Sequence, residues 1–171
     1  ALEVAQQRGL VRAIGASNMG SADFRELLGL ANVKLSVLQN WMDPFHQDRG
    51  VRELCRARHV VYMAYSSLGT QWEHRLGYNP VFSGGPPGQP EESSGHRVLQ
   101  TIADRHGVSV ALVVLSWALQ EGVAVLPRTT SDTHMADNAV LVRTAGGGLG
   151  TRVFLEPQDM FEIEQLDGML D

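Results

Sequence analysis

Short β-like runs alternate along this chain with stretches whose apolar residues recur at helical spacing. Residues 11–17 (VRAIGAS) read as a strand, and residues 21–31 as a helix with Phe24, Leu27, Leu28 and Ala31 on one face. A short strand at residues 35–39 (LSVLQ) leads to a helix over residues 50–59 that turns Val51, Leu54 and Cys55 inward. Residues 60–65 (VVYMAY) are β-branched and aromatic, the composition of a third strand. The rhythm then breaks. Residues 69–95 hold GGPPG and Pro90, with Trp72, Tyr78 and Phe82 scattered among them, and read as one long loop. Helices at residues 95–106 and 109–120 precede a fourth strand at 123–129 and a helix at 131–142. Residues 146–150 (GGGLG) read as a flexible link. A last helix starts at Leu155 or Glu156, with Pro157 in its first turn and Phe161, Ile163 and Leu166 apolar.

Strand–helix units in this order, with one extra helix at each end, imply parallel strands joined by crossovers. They suit a small doubly wound sheet or half of an eight-stranded barrel. No G-x-G-x-x-G opens a helix, so the dinucleotide fingerprint of the doubly wound fold is missing.

The polar residues gather at strand ends. Ser17 and Asn18 close the first strand, Gln39 and Asn40 the second, Tyr65, Ser66 and Ser67 the third, and Arg128, Thr129 and Thr130 the fourth. In a β/α barrel the C-terminal strand ends line the site. Ser, Thr and Asn are common in strand-end turns anyway, so one such cluster means little. Clusters on every strand in succession favour a ligand rim that hydrogen-bonds an amide, a sugar or a phosphate. The last is the most pointed: VAVLPRTTSDTHMADN runs from an apolar strand through Pro127 and Arg128 to a helix capped by Ser131 or Asp132. Free N–H groups, the helix dipole and a full cationic charge favour an anion there. An ordinary capped βα loop with a surface arginine gives the same pattern.

The 171 residues are 43 % hydrophobic and 19 % charged, a globular composition with enough length for one domain. A net charge of −5 argues against non-specific binding to nucleic acid or to an anionic membrane, and leaves room for a local basic pocket. The single cysteine, Cys55, permits no internal disulfide and makes a reducing, cytoplasmic compartment the default. No apolar run reaches membrane-spanning length and no signal-peptide pattern is present. The six histidines show no metal-binding spacing, so no metal site is expected. Trp117 falls at helical spacing with Leu112, Leu115 and Leu119 and reads as core, as does Cys55. Trp41 and Trp72 follow strand ends and suit a pocket wall or plain packing equally. Asp43 and His46, in the loop after the second strand, read as solvated residues in preference to substrate contacts, and Glu91 and Glu92 as solvated loop charges.

The segments GLVRAIGASNM, LSVLQNWMDP, VVYMAYSSLGT, ALVVLSWALQEGVAVLPRTT and MADNAVL, in that order between Leu10 and Leu170, resemble the second half of the aldo-keto reductases. The resemblance implies that residues 1–171 are a partial domain carrying strands 5–8, with their helices, of a TIM-type (β/α)8 barrel. It implies binding of NADP(H) in an extended pose, and reduction of a small aldehyde or ketone by hydride transfer in the parent protein. Ser17, Asn18 and Gln39 then match the positions that hold the nicotinamide carboxamide, and Tyr65 the tyrosine that stacks on its ring. Ser66, Leu68, Gly69 and Thr70 match the loop over the pyrophosphate. Arg128 and Thr129 match the basic residue and hydroxyl at the adenosine 2′-phosphate, and Asp137 and Asn138 the pair near the adenine. His134 stands where the family often has arginine, which weakens a preference for NADP over NAD without removing it.

The resemblance also implies that the family's catalytic tyrosine, lysine, aspartate and histidine lie upstream, on strands absent from this sequence. The chain opens at Ala1 in helix-like ALEVAQQRG and reads as a cut through a longer protein. Tyr62 and Tyr65 share a strand but have no lysine beside them. A half barrel would leave open edges and an apolar inner face, so the isolated chain is expected to self-associate. The alternative is a non-catalytic nucleotide-binding or regulatory module on the same scaffold.

Overall fold

Strands β1 (Gly15–Ser17), β2 (Val37–Trp41), β3 (Val61–Tyr65) and β4 (Ala124–Val125) pair in parallel, in the order in which they occur along the chain. A computed structural model describes residues 1–86, 88, 94–141 and 153–170. The link expected at residues 146–150, and Pro90, Glu91 and Glu92, lie outside the described residues. The register sets Ser17 beside Gln39, Trp41 beside Tyr65, and Ala64 beside Val125. Neighbouring strands are consecutive and the order never reverses. A doubly wound sheet reverses at its switch point, so this topology is that of a barrel segment.

The strands are shorter than their apolar runs. Ile14 and Leu126 extend the ladder by one bond each, through Ser36 N–H to Ile14 O (2.8 Å) and Leu126 N–H to Ala64 O (3.2 Å). Pro127 has no N–H to continue it. Expected at residues 35–39, β2 is shifted toward Trp41, because its pairing with β3 persists to Tyr65.

The helices, in chain order, are α1 (Leu2–Gln7), α2 (Ser21–Leu30), α3 (Arg49–Ala57), α4 (Thr70–Leu76), α5 (Ser94–His106), α6 (Val110–Gln120), α7 (Asp132–Val140) and α8 (Pro157–Glu164). Only α4 contradicts the sequence reading, which takes residues 69–95 as loop throughout. Its seven residues are too few to show a period, and its anchor is the single buried Trp72. Asn79 folds the following segment back, donating to Leu68 O (2.9 Å) and accepting from Val81 N–H (3.0 Å).

Burial alternates along the sheet. Leu38, Asn40, Tyr62 and Ala64 are buried, with α3 packed on β3 and α6 on β4. Val37, Gln39, Trp41, Val61, Met63 and Tyr65 occupy the other, open face. The two buried polar side chains of this layer are partnered. Asn40 bonds both Met19 backbone groups and Asp48 Oδ2, and the Tyr62 hydroxyl donates to Asp48 at 2.7 Å. Burial and the Asp48 charge together push the Tyr62 phenol well above its ordinary range. Burial likewise pushes the Cys55 thiol up to about 11, as suits an inert core residue.

Trp72, Trp117, Phe24, Phe45, Leu99, Ile102 and Ile163 form the centre of the core. Each such side chain contributes about 1.5–3 kcal/mol by leaving water. Helix α8 is fastened to α3: Arg49 reaches Asp167 (2.8 Å) and Glu164 (2.6 Å), and Gln47 donates to Ile163 O (2.8 Å). At the other end of α8 the buried Asp159 accepts from Glu156 N–H (3.0 Å), His106 Nε2 (2.6 Å) and Arg105. No single helix among the described residues is long and apolar enough to cross a membrane. Helices α5 and α6 reach that length only as a pair bent by 92°.

Candidate functional site

Parallel pairing brings the C-terminal ends of the strands to one edge of the sheet, and the polar clusters come with them. Asn18 adopts a left-handed backbone (φ 57°), which asparagine tolerates better than most residues. Its N–H donates to Gln39 O (3.0 Å), and its side-chain oxygen accepts from the Tyr65 hydroxyl (2.8 Å). Gln39 donates from Nε2 to the sulfur of Met63, its register partner on β3, at 3.3 Å. Among the described residues nothing donates to its Oε1. Ser17 is exposed beside Gln39. These four side chains form one continuous polar surface with an aromatic ring at its margin.

The turn after β3 is held open by its backbone. Ser66 (φ 53°) and Gly69 (φ 78°) are left-handed, and Gly69 N–H donates to Ser66 O at 3.0 Å. A serine in that region costs about 1–2 kcal/mol, a strain that concentrates at functional turns. A Cβ on Gly69 would collide with the Asn79 side chain and come within 2.7 Å of Val81 Cγ2. Glycine is therefore required both for its conformation and for the close approach of residues 79–81. Thr70 is exposed at the start of α4, and the buried Ser67 hydroxyl has no partner among the described residues.

Beyond this turn lies a cavity of about 690 Å³, within the usual size of a small-molecule site. Leu68, Arg128, Thr129, His134, Asp137 and Asn138 all line it. Ser131 caps α7 by accepting from His134 N–H (3.4 Å), which sets His134 3.5 Å from the Thr129 hydroxyl. Thr129 also accepts from Ser131 N–H at 3.0 Å. Arg128 is exposed, with no ion pair among the described residues. Phe82, Gln100 and residues 108–112 complete its lining, none of which the sequence pattern assigns to a site. A smaller recess of about 370 Å³ lies between α3 and α8. Its Arg49 and Arg52 are already engaged by Glu164, Asp167 and Glu121.

Asp43 overturns the expectation of a solvated loop. It is fully buried, and it accepts from both indoles, Trp41 Nε1 at 2.8 Å and Trp72 Nε1 at 3.1 Å. It also accepts from the N–H groups of Phe45 (2.8 Å) and His46 (3.2 Å). Burial pushes its carboxyl above the ordinary carboxylate range, although these donors favour the anion. The local signal is the Asp-Pro turn, in which the carboxylate bonds the chain two residues on. Around it Trp41 and Trp72 meet edge to face (5.2 Å), His46 stacks on Trp41 (4.2 Å), and the Arg75 guanidinium lies 4.7 Å over the Trp41 ring.

The sequence model of the Aldo/keto reductase family matches residues 1–144. The chain is 30 % identical over 167 residues to the NAD(P)H-dependent D-xylose reductase of Scheffersomyces stipitis, covering 98 % of this chain and 48 % of that protein. It is 32 % identical over 138 residues to the glycerol 2-dehydrogenase (NADP(+)) of Hypocrea jecorina, covering 81 % and 40 %. The chain thus spans about half the length, or less, of the curated relatives it matches. An aldo-keto reductase of the silkworm Bombyx mori, crystallised in complex with NADP, superposes with a TM-score of 0.75 at 23 % identity. That superposition covers 98 % of this chain and 48 % of the other. At that identity the likeness speaks for the fold, a (β/α)8 barrel of which this sheet is half. A family match over most of the sequence and a sheet with the topology of a barrel segment agree: the chain belongs to the aldo/keto reductase family.

Proposed function

We propose that residues 1–171 form one partial domain, the C-terminal portion of an NADP(H)-dependent aldo-keto reductase acting on small aldehydes or ketones. The observation that carries this reading is the joining of two sites at one end of one sheet. The Tyr65–Asn18 pair lies on the strand rim, the Arg128–Thr129–His134 cavity lies beyond it, and the Leu68–Thr70 turn connects them. The residues present fit an extended dinucleotide: a planar ring beside carboxamide groups, a glycine turn that admits no Cβ, and a cavity carrying Arg128.

On this reading Asn18 and Gln39 orient the nicotinamide carboxamide, with Ser17 beside them, and Tyr65 supports the ring. Ser66, Leu68, Gly69 and Thr70 line the pyrophosphate. Arg128, Thr129 and His134 bind the 2′-phosphate, and Asp137 and Asn138 face the adenine. When bound, NADP(H) supplies the hydride. The proton for the carbonyl oxygen comes from the family's tyrosine, which this reading assigns to the preceding half of the barrel together with its lysine, aspartate and histidine. That half would also cover the open face of the sheet. The single buried thiol suits a reducing, cytoplasmic setting.

Fluorescence titration of the folded chain with NADPH and NADH is the test. Saturable binding with NADPH preferred is expected. A folded chain that binds neither nucleotide would refute the reading.

A further inference from the structure

We propose that Arg75 selects carbonyl substrates that carry a carboxylate several bonds away from the reacting carbonyl. The inference rests on the reading of the Asn18–Gln39–Tyr65 rim as the nicotinamide site. Trp41 ends β2 on the same open face as Gln39 and is in register with Tyr65. It is therefore the next side chain out from the proposed hydride donor, about 6–7 Å further along the strand. The Arg75 guanidinium lies 4.7 Å over the Trp41 ring and 5.5 Å from the centre of the Trp72 ring. Two indoles thus hold the guanidinium of a long side chain that is otherwise exposed at the end of α4.

The indole N–H groups are in turn held by Asp43, whose oxygens accept from Trp41, Trp72, Phe45 and His46. Arg75 makes no hydrogen bond or ion pair among the described residues. Its donors are therefore uncommitted, next to the rim residue Trp41. A planar guanidinium matches a carboxylate through paired hydrogen bonds, which a lysine does not reproduce. The strand sets the spacing: Trp41, which holds Arg75, lies about 6–7 Å beyond Gln39, too far for the carboxylate of a 2-oxo acid and suited to an aldehyde with its acid at the far end.

The test compares 4-carboxybenzaldehyde with benzaldehyde in the complete protein that carries this chain, at saturating NADPH. Arg75→Ala is expected to lower kcat/KM for the acid about ten- to a hundredfold, mainly through KM, and to leave benzaldehyde within about twofold. Arg75→Gln, which keeps a polar stem over the indoles, should give the same loss, and Arg75→Lys should retain part of the preference. An unchanged ratio of the two substrates in Arg75→Ala and Arg75→Gln, or equal losses on both, overturns the assignment while the reductase reading stands. A wild-type protein that reduces neither aldehyde overturns both.

Discussion

The Tyr65 hydroxyl donates to the Asn18 side-chain oxygen at 2.8 Å, joining the ends of β3 and β1 across the strand between them. The bond fixes the plane of a ring that would otherwise turn freely at a strand end, and it steadies Asn18 in its left-handed turn. Tyr65→Phe keeps the ring and loses the tether. A neutral hydrogen bond contributes about 0.5–1.5 kcal/mol, so NADPH should bind up to about tenfold more weakly. Tyr65→Ala, which removes the stacking surface as well, should cost clearly more. Fluorescence quenching measures both, and equal affinities for wild type and Tyr65→Ala would remove Tyr65 from the site.

Arg128 and His134 should divide NADPH from NADH. Hydrogen bonds to charged groups contribute about 1.5–3 kcal/mol, and only NADPH carries the 2′-phosphate. Arg128→Ala is therefore expected to weaken NADPH about ten- to a hundredfold with little effect on NADH. His134→Arg replaces the imidazole whose Nδ1 lies 3.5 Å from the Thr129 hydroxyl with a permanent charge, and should strengthen NADPH selectively. Calorimetric titration that finds neither substitution altering the affinity ratio would move the phosphate elsewhere.

Residues 1–171 by themselves should not reduce aldehydes. Loss of a general acid alone typically costs about a hundredfold to ten-thousandfold. Turnover of NADPH above buffer with an aldehyde panel would contradict this.

The isolated chain should also self-associate. Val61 (50 % exposed) stands on the open sheet face in β3, and Leu126 (47 % exposed) extends the edge strand β4. Replacing both with lysine should shift sedimentation toward monomer. A sharp monomer peak for the unaltered chain would show that the face is covered from within.

Asp159 ties α8 to α5 and should govern acid stability. Burial acts to raise its pKa, but His106, the Glu156 N–H and Arg105 outweigh burial and hold the carboxyl below its ordinary range. Its folded pKa thus lies below the unfolded value of about 3.9. The stability it contributes is fully present above that value and is lost as pH falls through the folded one. Asp159→Asn should cost about 2 kcal/mol near neutrality and flatten the acid limb of a thermal melting series. An unchanged acid limb would show that the cluster is not coupled to folding.

The strand rim was readable because its residues sit at predictable ends of apolar runs, and parallel pairing needs no further information to bring Ser17, Gln39 and Tyr65 together. The α7 side of the cavity was readable for the same reason, since Arg128, Thr129 and His134 share one strand-to-helix turn. Its far wall was not: Phe82 arrives from a region whose one short helix leaves no period in the sequence, and the periods of α5 and α6, though legible, do not say that Gln100 and the α5–α6 junction pack beside α7. Asp43 was misread because charge usually marks solvent. Here two indole N–H groups and two backbone N–H groups make a buried carboxylate tolerable, and only the folded positions of residues 41 and 72 reveal that.

Strand order that copies chain order lets each new strand dock on the one just made, so the sheet can grow in sequence, with the longest closure, through α4, α5 and α6, between β3 and β4. The Gln47 and Arg49 fastening has the opposite character, since its partners lie 115–120 residues away at Ile163, Glu164 and Asp167. Emerging from a ribosome, α3 must therefore wait with this flank uncovered until nearly all of these residues have been made. The late closing of that cluster raises the contact order of an otherwise sequential fold, the kind of long-range pairing that slows folding.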